Sequence, residues 1–376
     1  MSSLEPTAIN GSPAALAFDR AVDELRRGRA IQVTAPGRGL LVAAVETIQE
    51  PQFARLTAMG GAGTLLFVTA ERALAARLTH QLSGPVAVAV PRGADIDHLR
   101  AVAGVNSKGA VDGDAFEVDA KPACAPLAAA ALQLAKAGRL VPALIGFPTD
   151  GSEAAGVLGI PLGDVTHHAS RFGHHALQLM SRARVPLAEA IDSEIAVFRD
   201  EHSLAEHVAV VIGKPDPTSA VPVRLHSACL TGDLLGSLRC DCGEQLRTAV
   251  ARIAALGGGV LLYLDQEGRG IGLPNKLRAY VLQDGGLDTV DADQHLGFLA
   301  DERTYDVAAA LLHELGVRRI RLLTNNPQKI NSLRDHGIEV VGRVPLVTTS
   351  NSHNERYLRA KHERAGHLDL AEESSG

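Results

Sequence analysis

The sequence predicts an α/β protein of two domains, residues 1–185 and 186–376. Three observations carry that expectation. A chain of 376 residues is longer than one ordinary core organises. Short apolar runs alternate with stretches of helical period along its length, as in strands joined by helices. And Arg182-Ala-Arg-Val-Pro-Leu-Ala188 breaks the alternation with charge and Pro186, which puts a boundary near 183–190.

Each element follows from local chemistry. Residues 18–30 predict an amphipathic helix with Phe18, Ala21, Val22 and Leu25 on one face and Gly28 at its end. Strands are expected at 31–34 and 40–45 around the Pro36-Gly37 turn, then at 64–69 and 85–90, with a helix over 71–82 between them. An alanine-rich helix over 126–137 leads to a strand at 141–147. Beyond the boundary, strands are expected at 194–199 and 207–213 with a turn at 201–204, then a Pro-rich loop at 214–219. A helix over 245–256 has the stripe Leu246, Val250, Ile253 and stops at Gly257-Gly258-Gly259. A buried strand at 260–264 runs into the loop Asp265-Gln-Glu-Gly-Arg-Gly-Ile-Gly-Leu273, and a helix over 275–283 follows. Asp301 suits the N-cap of a helix reaching Leu315. A strand at 318–323 precedes a helix capped by Asn326, with Pro327 in its first turn and its end near His336.

Composition excludes several functions. Thirty-seven basic against 43 acidic residues leave a formal charge of −6, which does not suit a general nucleic-acid binder. Tryptophan is absent and aromatics make up 3%, so base-stacking platforms have no support. No apolar run reaches the roughly 18 residues of a membrane helix, and no membrane partner is expected. The opening Met-Ser-Ser-Leu-Glu-Pro-Thr lacks the basic-then-apolar pattern of a secretory leader, so a cytoplasmic location is expected.

The chemistry concentrates in Arg224-Leu-His-Ser-Ala-Cys-Leu-Thr-Gly-Asp-Leu-Leu-Gly-Ser-Leu-Arg-Cys-Asp-Cys-Gly243, which holds Cys229, Cys240 and Cys242, three of the chain's 4 cysteines. Such clustering fits a metal in a reducing compartment better than a disulfide framework. A catalytic zinc keeps three protein ligands and one open position. Two other readings stay open here: buried apolar thiols, and a closed structural site with His226 as fourth ligand. In the glycine-rich loop, backbone N–H groups and Arg269 can approach an anion. The strand end at Thr324, with Lys329 in the following helix, forms a second anion site. Two anion sites in one domain imply a polyphosphorylated ligand. Asp301 and Arg303 can pair an acceptor with a guanidinium, or form only a cap and a surface ion pair. His167-His168 and His174-His175 suit a polar helix surface better than a metal, and Cys124 suits a packed thiol.

Residues 194–368 resemble GTP cyclohydrolase II through Arg224-Leu-His-Ser-x-Cys-Leu-Thr-Gly-Asp233, Arg239-Cys-Asp-Cys-Gly243, Gln266-Glu-Gly-Arg-Gly-Ile-Gly-Leu273, Asn275-Lys276, Ala279-Tyr280, Leu296-Gly-Phe298, Asp301-x-Arg303 and Thr324-Asn-Asn-Pro327. The resemblance implies hydrolysis of GTP to 2,5-diamino-6-(5-phosphoribosylamino)pyrimidin-4-one, formate and pyrophosphate, the first step of riboflavin biosynthesis. It implies one zinc (Zn2+) per chain on Cys229, Cys240 and Cys242, Mg2+ with the triphosphate, and a homodimer. Arg303 matches the residue that attacks the α-phosphate, Asp301 its proton acceptor, and Tyr280 a donor for ring opening. Arg224, Leu225, His226, Ser227, Gln245, Glu267, Gly268, Arg269, Thr289, Thr324 and Lys329 match positions that hold GTP. Two positions depart from the pattern: Ala228 stands where Glu is usual, and Asp265 where a basic residue is usual. These departures keep two alternatives open, a relative that stops at the formamide or serves a specialised pathway, and a non-catalytic zinc- and nucleotide-binding protein.

The first half resembles 3,4-dihydroxy-2-butanone 4-phosphate synthase in Gly28-Arg29-Ala30-Ile31 and in the stretch Ala129-Ala-Ala-Leu-Gln-Leu-Ala-Lys-Ala-Gly-Arg-Leu-Val-Pro-Ala143. The acidic signature of that family is missing from Pro36-Gly-Arg-Gly-Leu-Leu-Val-Ala-Ala44, and Ala123-Cys-Ala-Pro126 stands near the place of its Gly-His-Thr-Glu motif. Carboxylates hold that family's Mg2+ and move its protons, so loss of synthase activity is expected.

Overall fold

A computed structural model describes residues 13–80, 83–91, 93–106, 116–120, 122–170, 177–200 and 205–346, with the side chains of 168–170 also left undescribed. Contacts divide the chain into two compact units, Met1–Arg171 with Pro274–Asp301, and Phe172–Leu273 with Glu302–Gly376. The spatial division is therefore not the linear one expected at 185/186. Among the described residues no helix is long and apolar enough to cross a membrane.

The first unit runs α1 (Pro13–Arg26), β1 (Ile31–Ala35), β2 (Arg38–Ala44), α2 (Glu50–Gly60), β3 (Leu65–Val68), α3 (Ala70–Ala75), β4 (Val86–Ala89), α4 (Ile96–Ala103), β5 (Val118–Asp119), α5 (Ala125–Ala137), β6 (Ala143–Thr149), β7 (Leu158–Pro161) and α6 (Leu162–Ser170). Its sheet has the order β5-β4-β3-β6-β2-β1-β7 and is antiparallel except where β7 pairs with β1. β2 shows why the apolar run at 40–45 is continuous. Leu40, Val42 and Ala44 enter one core with α1 and α5, while Leu41, Ala43 and Val45 enter another with α2 and α4. Alternate side chains of a strand face opposite ways, so a strand covered on both faces reads as unbroken hydrophobicity.

The second unit opens with β8 (Leu177–Arg184), β9 (Ser193–Asp200), β10 (Glu206–Gly213), β11 (Val221–Ser227), α7 (Leu230–Asp233), α8 (Cys242–Ala255) and β12 (Gly258–Leu264). The chain then passes through α9 (Leu273–Asp284) and α10 (Thr289–His295), and returns with α11 (Asp306–Glu314), β13 (Arg319–Leu323), α12 (Pro327–Asp335) and β14 (Glu339–Val344). Sheet order is β14-β13-β11-β12-β10-β9-β8. β14, β13, β11 and β12 are mutually parallel, and β12, β10, β9 and β8 pair antiparallel. One face packs on α8 through Ala249, Val250 and Ile253, the other on α11 and α12 through Val307, Leu311 and Leu333.

Two expectations need correction. The helix expected over 71–82 is α3, which ends at Ala75; Arg77 has φ +58°, and a left-handed residue stops a helix. The helix expected to open at Asp301 opens at Asp306 instead, with Tyr305 as N-cap, and 301–305 hold no regular structure. Glu302 N donates to Arg269 O, which ties this stretch to the glycine-rich loop rather than to a helix. The turn at 201–204 and the pair His174-His175 lie outside the described residues.

Residues 274–301 join the first unit through donors aimed at chain ends. Arg72 is 2% exposed; its guanidinium donates to Val102 O (2.7 Å), Ala101 O (3.1 Å) and His295 O (2.7 Å). Those carbonyls lie in the last turns of α4 and α10, where helices leave acceptors unpaired and a cation meets the negative dipole end. Thr69 Oγ1 donates to Gly297 O at 2.8 Å, Arg278 pairs with Glu46 at 2.8 Å, and Asn275 Nδ2 donates to Arg139 O at 2.8 Å.

Candidate active site

Strand order places the site. β11 passes through α8 to β12 on one side, and the chain later returns to β13 on the other side of β11, then moves outward to β14. Connections from β11 and β13 thus leave in opposite directions, and ligands bind at the carboxyl ends of such strands. The motifs sit there: Ser227 ends β11, Gln266 and Glu267 follow β12, and Thr324 follows β13.

Cys229, Cys240 and Cys242 bring their sulfurs within 4.8 Å of one another, and Cys229 and Cys240 are 3.6 Å apart. All are free thiols. Tetrahedral zinc at about 2.3 Å from each sulfur needs edges of about 3.8 Å, so the donor set fits. Cys229 precedes the single turn of α7, and Cys242 opens α8 after Cys240. Gly232 makes the convergence possible: a Cβ there would lie 2.8 Å from Cys240 Sγ and 3.0 Å from Cys229 Sγ. The contact with Cys229, then burial, push the Cys240 thiol up. A cation among the sulfurs reverses that push, because the thiolate is the ligand.

His226 is not a fourth ligand in this arrangement. The donor cluster found among the described residues contains the cysteines without it. Its Nε2 lies 3.1 Å from both oxygens of Asp233, while its Nδ1 is buried with no hydrogen-bond partner. Burial lowers the His226 pKa, so the imidazole is neutral, and the acceptor-only carboxylate fixes the proton on Nε2.

The charged groups are held from below. Arg224, 6% exposed, donates to Leu323 O at 2.9 Å and to Gln245 Oε1 at 2.6 Å, and its Nε has no partner. Burial pulls its guanidinium down to about 10, with Asp241 and Cys242 opposing, so it stays charged at neutral pH. Lys329, in the first turn of α12, donates to Leu225 O at 2.9 Å, and its Nζ lies 5.4 Å from the Tyr305 ring. Thr324 Oγ1 accepts from Asn326 N, and Asn326 caps α12 through Gln328 N, as its sequence position predicts. Arg303 Nη1 reaches Ser227 Oγ at 3.4 Å, and Ser227 donates to Gln266 Oε1 at 3.0 Å.

The glycine-rich loop differs from expectation. It is a tight turn whose own acceptors take its N–H groups: Gly268 N goes to Glu267 Oε1, Gly270 N to Gln266 O and Gly272 N to Glu267 O. Arg269 sits at φ +61°, beside Gly268 at +62°. Those N–H groups do not turn outward to an anion as expected, which leaves the Arg269 side chain as the candidate of this loop. A non-glycine residue pays about 1–2 kcal/mol in the left-handed region. Arg269→Gly should thus be more stable than Arg269→Ala by about 1 kcal/mol, while both weaken binding of a triphosphate equally. Urea unfolding and ligand titration of the two variants check this.

Fourteen of the sequence-predicted site residues belong to the second unit: Arg224, Leu225, His226, Ser227, Cys229, Cys240, Cys242, Gln245, Glu267, Gly268, Arg269, Arg303, Thr324 and Lys329. Tyr280 on α9, Thr289 at the start of α10, and Asp301 belong to the first unit. Of the departures, Ala228 N donates to Leu264 O, and Asp265 N donates to His207 Nδ1 at the end of β12. His167 is exposed on α6, and Cys124 is buried at the start of α5. Sequence reasoning missed Gly232 and Tyr263. Both matter through tertiary contact: Gly232 stands inside the quoted motif, but only the fold shows what its missing Cβ makes room for.

A family model described as GTP cyclohydrolase II matches residues 178–345. A protein from Azospirillum brasilense named GTP cyclohydrolase-2 is 45% identical over 366 residues, covering 94% of both chains. A GTP cyclohydrolase-2 from Azotobacter vinelandii is 56% identical over 171 residues, covering 46% of this chain and 82% of its own. A crystal structure of a two-domain 3,4-dihydroxy-2-butanone 4-phosphate synthase from A. baumannii covers 88% of this chain and 99% of its own, at 17% identity and a TM-score of 0.32, a likeness too slight to bear on fold or function.

Proposed function

The chain belongs to the GTP cyclohydrolase II family, and on that premise we propose that it hydrolyses GTP to 2,5-diamino-6-(5-phosphoribosylamino)pyrimidin-4-one, formate and pyrophosphate, the opening step of riboflavin biosynthesis. The observation that carries the chemistry is the convergence of Cys229, Cys240 and Cys242 at the carboxyl ends of parallel strands. These residues hold one zinc. Zinc so held supplies Lewis acidity toward water and the purine.

The remaining roles belong to the chain's own groups. Arg224, buried and charged with a spare Nε donor, anchors an anionic or carbonyl group of the substrate at the floor of the crevice. Lys329 and Arg269 neutralise the triphosphate together with Mg2+, aided by the positive end of α12. Leu225, His226, Ser227, Gln245, Glu267, Gly268, Thr289 and Thr324 complete the nucleotide contacts. Arg303 attacks the α-phosphate while Asp301 takes its proton; the bond to the β-phosphate breaks and pyrophosphate leaves, and water then cleaves the N–P bond and restores Arg303. Both roles rest on the family pattern, and Arg303 Nη1 reaches Ser227 Oγ at the end of β11. Tyr280 donates during ring opening, a role that rests on the family pattern.

We also assign the protein to the cytoplasm and to a homodimer. Exposed Leu234 (74%), Leu235 (70%) and Leu238 (58%), next to the cysteines, support an assembly that covers them. The first unit, in this reading, has lost synthase chemistry. The place of the acidic signature is occupied by β2, whose residues from Gly39 to Ala44 are all buried, with no carboxylate among them.

The test is metal analysis of purified protein, followed by separate measurement of formate and pyrophosphate from GTP and Mg2+. Equal release of both products by zinc-loaded protein is expected. Neither product from protein that carries zinc would overturn the proposal.

A further inference from the structure

Asp233 is assigned neither to metal nor to nucleotide, yet three elements meet on its carboxylate. His226 of β11 lies with Nε2 3.1 Å from each oxygen. Tyr263 of β12 donates its hydroxyl to Oδ2 at 3.0 Å. The backbone N–H of Cys229, just ahead of α7, donates to the same oxygen at 3.0 Å. His226 and Tyr263 are paired neighbours on the parallel strands, and their rings stack at 5.6 Å with planes 16° apart. We infer that Asp233, braced by Tyr263, is a positioning residue that sets Cys229 for the metal before the metal arrives.

The physical reason lies in the backbone. The first N–H groups of a helical turn have no partner within the helix. Here two carboxylates take consecutive ones: Asp233 receives Cys229 N, and Glu267 Oε2 receives Leu230 N at 2.6 Å. The Asp233 side chain is 7% exposed, and oxygens so buried need donors around them. Tyr263 and His226 supply two of them and fix the carboxylate against the sheet. The Cys229 amide, and the sulfur beyond it, are thereby referenced to β11 and β12 rather than to a free loop. Groups behind a metal ligand that hold its orientation typically change metal affinity about 10–100-fold when removed.

This inference rests on the zinc reading above, and its test separates the two. Zinc affinity is measured by chelator competition in wild type, Asp233→Asn, Tyr263→Phe and the double variant, together with the visible spectrum of each with cobalt(II) and the melting midpoint without metal. Asp233→Asn retains one acceptor oxygen for three donors, and zinc should bind about 10–100-fold more weakly. Tyr263→Phe should weaken zinc less, and the double variant should be no weaker than Asp233→Asn, because Tyr263 acts through Asp233. The cobalt spectra should shift while the metal-free melting midpoints stay near wild type, which a general loss of structure would not produce. Unchanged affinity in the variants, or losses that simply add, would overturn the inference. Should Asp233→Asn fail to fold, Tyr263→Phe decides alone: wild-type zinc affinity in that variant overturns it. A wild type without zinc sinks the zinc reading, and this inference with it.

Discussion

Gly232→Ala should strip the protein of zinc and reduce formate release at least about 100-fold, with both sheets still folded. The added methyl would lie 2.8 Å from Cys240 Sγ, 2.9 Å from Cys242 Cβ and 3.0 Å from Cys229 Sγ. None of these atoms is the loose end of a long side chain. The sulfurs must either spread, which breaks the spacing of about 3.8 Å that one zinc requires, or push α7 off α8. The second route also loses the metal, because Cys229 precedes α7 and Cys242 opens α8, so parting the two helices parts their sulfurs. Metal content by elemental analysis and formate release in added zinc check the outcome. A variant with one zinc and wild-type turnover would show that the sulfurs do not act together.

That glycine illustrates how far the sequence could be read. The cysteines, the strand-end acids and the Thr324 turn were legible because each pairs a motif with a local element: an apolar strand followed by a cap or a tight turn. Asn326 caps α12 as its neighbours require. What was not legible depends on distant partners. β8 is an edge strand with almost every side chain exposed, so no alternation marks it; pairing with β9 makes it a strand. β11 was hidden by Pro222, tolerated between β12 and β13 at a position sequence patterns assign to edges. α4 and α10 did leave a signal, since Asp95 and Asp288 cap them through side-chain bonds, but both are short. The glycine-rich loop was located correctly and its N–H groups were not, because Glu267 turns back on its own loop. The allocation of 274–301 to the first unit has no local signature at all. It depends on side chains distant in sequence, Arg72, Thr69 and Glu46 among them.

Arg72→Met should destabilise the protein by about 2–4 kcal/mol, the cost of leaving two buried carbonyls without their donor, offset in part by the relief of a desolvated charge. Arg72 is fully enclosed, and burial pulls its guanidinium down to about 10, so it is still a cation at neutral pH. Methionine keeps the unbranched stem but stops short of the guanidinium, so it limits the cavity left behind. The desolvated charge disappears too, which by itself favours the variant. What is lost is the set of donors to Val102 O, Ala101 O and His295 O. Ala101 O keeps a second donor in Gly104 N. The other two carbonyls lose the guanidinium, and a buried polar group without a partner costs about 1–3 kcal/mol. His295 is affected as well. Burial first, and then the charge of Arg72, hold its imidazole down to about 4. Without Arg72 part of that depression lifts, and its pKa should rise toward the ordinary range. Denaturant unfolding gives the stability difference, and amide exchange locates it: protection should fall first across 289–297, while α12 and β13 in the other unit keep theirs. Uniform loss across both units, or no loss in α10, would mean that Arg72 is not what fastens this segment.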